Sequence, residues 1–475
     1  MIGLLEIAHR ASNGPKMDEN EWNMGLFKKM QELKKRHGLE IDEPKHFYDV
    51  DNAYADAVYQ AAVDFISETG VYCVTKGRVL RFTMDEVREA IREAPGQLPV
   101  GAGRDRRILR ARRLGDTGVP NVVIGGHCPW SEELIQLSTL VREMVRIPRV
   151  DALEGFNYVK IDGRTVDNPV LAIYAARRAA AYIREGLRKA GRPGLAFLYY
   201  PVLTNTAALM APIGESGIRG TDGVLLSVLP DMKVELDMIA ASLVYDEIGA
   251  YRHNGDTFGW ARGFCGGWEG AMIESVCKVI AGWMIYRDAT SYPPNVTTGF
   301  DTWTIEGVKV ESTPPPYGWR TFAVNKALQR HGSFIFLGEG TPQLLPKDTV
   351  EDEFLLTTAL ASISRTVQGD NLLYIATPPP SIITWGIEAS DAALKSQLKP
   401  SDLEELWERV HKEKLQGPST VFGDPRQLLY YDPQTFWKGL SQHYDYFAQK
   451  PTIEFTESRN RVIDYLEDIG VQFPS

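Results

Sequence analysis

The chain has 475 residues, of which 44% are hydrophobic, 10% aromatic and 24% charged, a balance ordinary for a globular protein and wrong for a disordered one. At this length about three quarters of the extended surface can be buried, so the fold needs no disulfide staples. The four cysteines, Cys73, Cys128, Cys265 and Cys277, are scattered without a CxxC pair, which fits a reducing cytoplasm. A net charge of −10 speaks against nucleic acid or an anionic membrane as partner. No apolar run approaches the length of a membrane span or a signal-peptide core, so a soluble cytoplasmic protein is expected.

In chain order, the first hundred residues read as helical and charged. Segments 17–40 and 52–70 carry apolar residues at three- and four-residue spacing, the second ending on Gly70 as a C-terminal cap. Thr83 with Glu86 three residues later is a capping box opening a helix over 83–96. The run Arg104, Arg106, Arg107, Arg110, Arg112 and Arg113 alternates like a solvated strand face.

From residue 120 the pattern changes. Strand-like runs at 121–126, 150–157, 195–200, 223–229, 248–255, 289–293, 333–340 and 372–377 alternate with helical patterns. Strands separated by helices require right-handed crossovers and a parallel sheet. Eight in succession predict an α/β fold of the (β/α)8 TIM-barrel type; an open doubly wound sheet is the alternative, but no GxGxxG follows an early strand. After residue 390 the sequence returns to helix, with Pro400 breaking the segment 390–415. The expected organisation is a helical N-terminal extension over 1–119, the barrel over 120–390, and C-terminal helices over 391–475 that pack on the barrel or make a subunit contact.

In such a barrel the chemistry sits at the carboxyl ends of the strands. That rule selects His127 and Cys128 after the first strand, Asn157 after the second, Tyr199 and Tyr200 after the third, and His253 with the segment GFCGGWEG (263–270) after the fifth. Glu269 follows a Gly-Gly-Trp run at the start of a helical pattern, where the helix dipole keeps a carboxylate ionised. Trp268 and Tyr317 add rings able to hold a flat or cationic ligand. His127, Cys128, Cys265 and His253 are ligand types for an open zinc site, although no spacing among them is a metal signature. There is no P-loop, GxSxG or HExxH. The residues alone thus describe a barrel enzyme with an aromatic pocket, one candidate acid and thiol and imidazole ligands, without naming a reaction.

Several segments, taken together, resemble the monomethylamine methyltransferase family: KKRHGLEID (34–42), SETGVYCVTKGRVLRFTMDEVREAI (67–91), VGAGRDRRILRARRLGD (100–116), GRPGL (191–195), KVELDMIAASLVY (233–245) and GFCGGWEG (263–270). The resemblance implies the barrel, a homo-oligomer, and transfer of a methyl group to the cobalt of a corrinoid (cobalamin) carried by a separate small corrinoid protein. In that family pyrrolysine binds the amine; counted without gaps, its position falls most nearly on Gly214, which can form no adduct. The family's pocket glutamate matches Glu269, while its Gln and Tyr from the seventh strand are missing from Gly338-Glu339-Gly340-Thr341.

A changed donor is therefore expected. An aryl methyl ether has a phenolate leaving group that Glu269 as an acid, or zinc at His127, Cys128 and Cys265, could stabilise, with the ring stacked on Tyr199, Tyr200, Trp268 or Tyr317. A methylated or quaternary amine is the rival donor, since it suits an aromatic cage. Two further classes stay open: a barrel that binds a methylated ligand without turnover, and a zinc hydrolase.

Overall fold

Every strand-like run anticipated between residues 121 and 377 forms a strand, because each combines β-branched or aromatic residues with a glycine-rich or polar boundary. The strands are β1 (Val122–Gly125), β2 (Ala152–Glu154), β3 (Ala196–Tyr199), β4 (Gly223–Leu226), β5 (Tyr251–Asn254), β6 (Asp288–Ser291), β7 (Ile335–Glu339) and β8 (Asn371–Tyr374). They close into one barrel in chain order. The computed structural model describes residues 2–474 except 41–45, 47, 49, 126–128, 132–136, 202–204, 262, 298–318, 341–349, 375–378 and 415–432, with main chain alone at 129–131, 157, 295, 297, 411 and 433–437.

The chain divides into two compact units, residues 1–98, 204–206 and 224–336 in the first and 99–203, 207–223 and 337–475 in the second. In the first unit the helices are α1 (Leu4–Asn13), α2 (Glu19–Arg36), α3 (Asn52–Glu68), α4 (Met84–Arg92), α5 (Leu236–Glu247), α6 (Trp268–Tyr286) and α7 (Trp319–His331). Local chemistry sets their starts. Asp18 and Asp51 accept backbone N–H groups at the first turns of α2 and α3, and Thr83 with Glu86 closes the expected capping box on α4. Gly70 ends α3 with φ +86°, and a Cβ there would lie 2.0 Å from the Leu80 carbonyl oxygen, so only glycine fits.

Helix α6 is buried at every position from Gly270 to Tyr286. Its apolar residues run all round, and α1 to α5 and α7 cover it. Trp283 Nε1 donates to the Ala90 carbonyl at 2.8 Å, fixing α4 against it. This is why so long a helical segment precedes the barrel. That segment also holds a hairpin the helical periodicity concealed, Val71–Cys73 against Arg78–Leu80, extended by Lys233–Val234.

In the second unit β1 and β2 pair in register Val123↔Ala152, and β2 and β3 in register Leu153↔Phe197. The helix Pro169–Lys189 is capped by Asn168 and carries Arg184, whose guanidinium is buried against the Asp222 carboxylate and 4.5 Å over the Phe197 ring. The C-terminal helix breaks where expected, Pro380–Lys395 ending before Pro400–Glu413. The arginine run departs from a solvated face. Arg104, Arg106, Arg110 and Arg113 are exposed, but Arg112 is buried and donates to the carbonyls of Thr366, Asp370, Asp116 and Gly118. No helix among the described residues is long and apolar enough to cross a membrane.

Asp288, at the amino end of β6, is buried, and neither carboxyl oxygen has a hydrogen-bond partner among the described residues. Burial pushes its carboxyl well above the carboxylate range, with the Arg252 guanidinium opposing only in part. The unfolded chain loses this proton near pH 3.9 and the folded chain retains it, so stability falls as pH rises from about 4 toward the raised value. Asp288→Asn removes the ionisation and should stabilise the protein near neutrality by about 1–3 kcal/mol. Urea unfolding at pH 5 and pH 8 checks this: the gain should be larger at pH 8.

Candidate active site

The segment between β5 and α6 carries the candidate acid. Gly266 and Gly267 have φ of +71° and +114°, and a Cβ on Gly266 would lie 2.5 Å from Gln31 Nε2 and 2.6 Å from the Phe27 ring. Glycine therefore lets α2 close on this loop, and Gln31 Nε2 donates to the Gly266 carbonyl at 2.8 Å. Gly267 is the N-cap, which places Trp268 and Glu269 in the first turn of α6. The helix dipole favours a negative charge there. Lys34 of α2 pairs with the Glu269 carboxylate at 3.1 Å, both side chains being about four-fifths buried (18% and 21% exposed).

Around this acid the first unit gathers rings. The Arg320 guanidinium lies 4.9 Å over the Trp268 ring and 4.6 Å over the Trp319 ring, and Tyr54 packs against Trp319 at 5.9 Å between ring centres. The Tyr54 hydroxyl, donating to the Leu39 carbonyl, is pushed up by burial and by the Glu269 charge and drawn down by Arg320. Both charges thus act on one buried hydroxyl. Trp268 and Trp319 each open a helix that follows a barrel strand, so both stand at the carboxyl-end side of the strands, where barrel chemistry resides. Sequence reasoning picked Trp268 and Glu269 but missed Lys34, Tyr54, Trp319 and Arg320. The one available signal was the pair Trp319-Arg320 opening a helical pattern, as Trp268-Glu269 does.

One turn further along α6 lies a buried polar network. Glu274 accepts the backbone N–H groups of Asp231 at 2.7 Å and Trp260 at 3.0 Å, and the Cys265 thiol at 2.9 Å. Lys278, fully enclosed, donates to Asp256 and to the Phe258 carbonyl, each at 3.0 Å, and stands 3.9 Å from Glu274. Burial raises both the Glu274 carboxyl and the Cys265 thiol, the thiol further by the Glu274 charge. Asp231, Cys265 and Glu274 hold their donor atoms within 4.8 Å of one another. Three ligands are the number an open zinc site uses, but here Glu274 already accepts two N–H groups and a thiol proton, and Lys278 stands beside it as the cation. His253, on β5, faces Thr290 Oγ1 at 2.9 Å and the edge of Tyr292 at 4.7 Å between ring centres.

His127, Cys128 and Tyr317 fall outside the described residues, as does the Asn157 side chain. Tyr199 is buried in β3 of the second unit, where desolvation raises its hydroxyl, and Tyr200 is half-buried. Gly214 lies in an exposed turn between the short helix Thr206–Met210 and the amino end of β4, with φ +145° and open space where a Cβ would point. The structure therefore gathers Trp268 and Glu269, sets Cys265 in the network beneath them, and puts Tyr199, Tyr200 and Gly214 in the other unit.

Replacing Lys278 by Met leaves the Asp256 and Glu274 carboxylates without their cation and should cost about 3–5 kcal/mol of stability. Chemical denaturation measures the loss, and a change under 1 kcal/mol would show that Lys278 does not hold this network together.

Comparison with known proteins places this geometry. The sequence model described as monomethylamine methyltransferase MtmB matches residues 2–292, a span that includes Lys34, Tyr54, Trp268 and Glu269. The chain is 27% identical over 484 residues to monomethylamine methyltransferase MtmB2 of Methanosarcina acetivorans, covering 98% of this chain and 97% of that protein. It is 26% identical over 479 residues to monomethylamine methyltransferase MtmB1 of Methanosarcina barkeri, with the same coverage. The crystal structure of the Methanosarcina barkeri monomethylamine methyltransferase superposes with a TM-score of 0.80 at 20% identity, over 99% of this chain and 98% of that one, and so shares the fold. The chain belongs to the monomethylamine methyltransferase family, and is a methyltransferase.

Proposed function

We propose that the protein transfers a methyl group from a methylated amine to a corrinoid carried by a separate small protein. The family match over residues 2–292 carries this reading. It also changes the donor: an aryl methyl ether was expected from the His127-Cys128 and Glu269 pattern, but the relatives are named for monomethylamine and none for an ether. The corrinoid enters as the methyl acceptor and supplies a low-valent cobalt nucleophile.

The chain's own task is to present a methyl group in line and to let nitrogen leave as a neutral amine. A nitrogen that bears a proton or a fourth carbon leaves neutral; a free amine does not. Glu269, held in the first turn of α6 beside Lys34, favours the protonated form of an amine bound near it. Trp268 offers a face to the cation.

The purified protein, given a reduced corrinoid protein, should release demethylated amine from methylated amines and no phenol from aryl methyl ethers, as followed by mass spectrometry. Phenol release without amine demethylation would reverse the assignment of donor. Glu269→Gln should lower the rate on amines that carry a proton at least tenfold, about 1.4 kcal/mol, and affect a quaternary amine much less. Equal loss on both classes would remove the role in keeping nitrogen protonated.

A further inference from the structure

Arg320 is the unusual group of the first unit. It is half-buried, and its guanidinium lies over the rings of two tryptophans. It makes no hydrogen bond and no ion pair among the described residues; its Nε is buried without an acceptor. Beside it Trp319, 4% exposed, also has a buried Nε1–H with no acceptor among the described residues. Arginine carries five N–H donors in a fixed planar fork suited to an oxyanion, and contact with two rings restricts the head group before any ligand arrives. A buried donor without an acceptor carries a desolvation cost that a bound anion would relieve.

The charges nearby point the same way. A simple methylammonium ion placed beside Trp268 would meet the Glu269 carboxylate but also the unpaired Arg320 cation, and like charges in a half-buried site repel. A donor carrying a carboxylate as well as its methylated nitrogen would meet both charges with the opposite sign.

We infer that Arg320, in contact with the Trp268 and Trp319 rings, is an oxyanion-binding residue that recognises a carboxylate on the methyl donor, so that the donor is an N-methylated amino acid rather than a simple methylamine. This rests on the amine reading of the function and narrows it. Glu269 takes the nitrogen end and Arg320 the carboxylate end. No bond to Arg320 forms or breaks. Its part is to select and orient.

Calorimetry on the full chain without any corrinoid protein tests it, using N,N-dimethylglycine against dimethylamine and sarcosine against monomethylamine. Each amino acid should bind at least tenfold more tightly than the matching amine. Arg320→Gln should abolish that advantage, and Arg320→Lys, which keeps the charge but not the planar fork, should retain only part of it. Equal affinity for the two members of each pair, no binding of either, or an advantage that survives in Arg320→Gln would overturn the inference. Inorganic phosphate is titrated in parallel: Arg320-dependent binding of phosphate with none of the amino acids would show an oxyanion site of another kind and also defeat it. Methyl transfer is scored separately with the corrinoid protein. Tight, Arg320-dependent binding without any transfer would sink the proposed reaction and leave the recognition site standing.

Discussion

The ammonium of Lys278 has no exposed surface, and the loops around the candidate site are arranged to receive it. Asp256, from the segment after β5, and the carbonyl of Phe258 take its protons, while Glu274, one turn away on the same helix, adds a second negative charge. Removing a charge from water costs several kcal/mol unless partners replace the solvent, so these contacts must form together or not at all. Glu274 carries the constraint onward, accepting N–H groups from Asp231 and Trp260 and the thiol of Cys265. The loops after β4 and β5 are thus tied to α6, whose first turn presents Trp268 and Glu269. The rigidity of the acid comes from beneath it.

Above that anchor the first unit combines opposite charges with flat apolar surface. Lys34 neutralises part of the Glu269 charge without leaving the helix terminus, and the Gly266-Gly267 pair permits α2 to come close enough for this contact. Arg320 is solvated by indole faces instead of carboxylates, an arrangement available to a guanidinium, which is weakly hydrated and planar, and poorly suited to an ammonium. The two charges therefore differ in character: the Glu269 carboxylate is paired with Lys34, whereas the Arg320 guanidinium meets indole rings.

The same barrel supports many chemistries, so the family match and the site must be weighed separately. The match fixes the class of enzyme. Arg320 lies beyond residue 292, outside the matched span. Cys265 illustrates the reverse case. As a residue type it suggested a zinc ligand, but burial beside a carboxylate keeps it a protonated thiol in a hydrogen-bonded network.

Local chemistry was legible in the chain. The eight barrel strands, the Thr83–Glu86 capping box, the end of α3 at Gly70, the break at Pro400 and the placing of Glu269 in a first helical turn all depend on residues within a few positions of one another. Periodicity and capping report such contacts directly. The hairpin at Val71–Cys73 and Arg78–Leu80 escaped because two short strands lie between strongly periodic helices. What only the tertiary structure decided is convergence. Lys34 meets Glu269, Tyr54 meets Trp319, and Arg320 lies over Trp268 because α2, α3 and α7 pack against α6, and no local signal encodes contacts between residues so far apart in the chain. Arg112 shows the same limit in one residue: its neighbours suggest a solvated strand face, yet four carbonyl oxygens supplied partly by residues 366 and 370 enclose it. A residue's type and spacing set which contacts it can make; the closing of the barrel and its helices set which ones it does make.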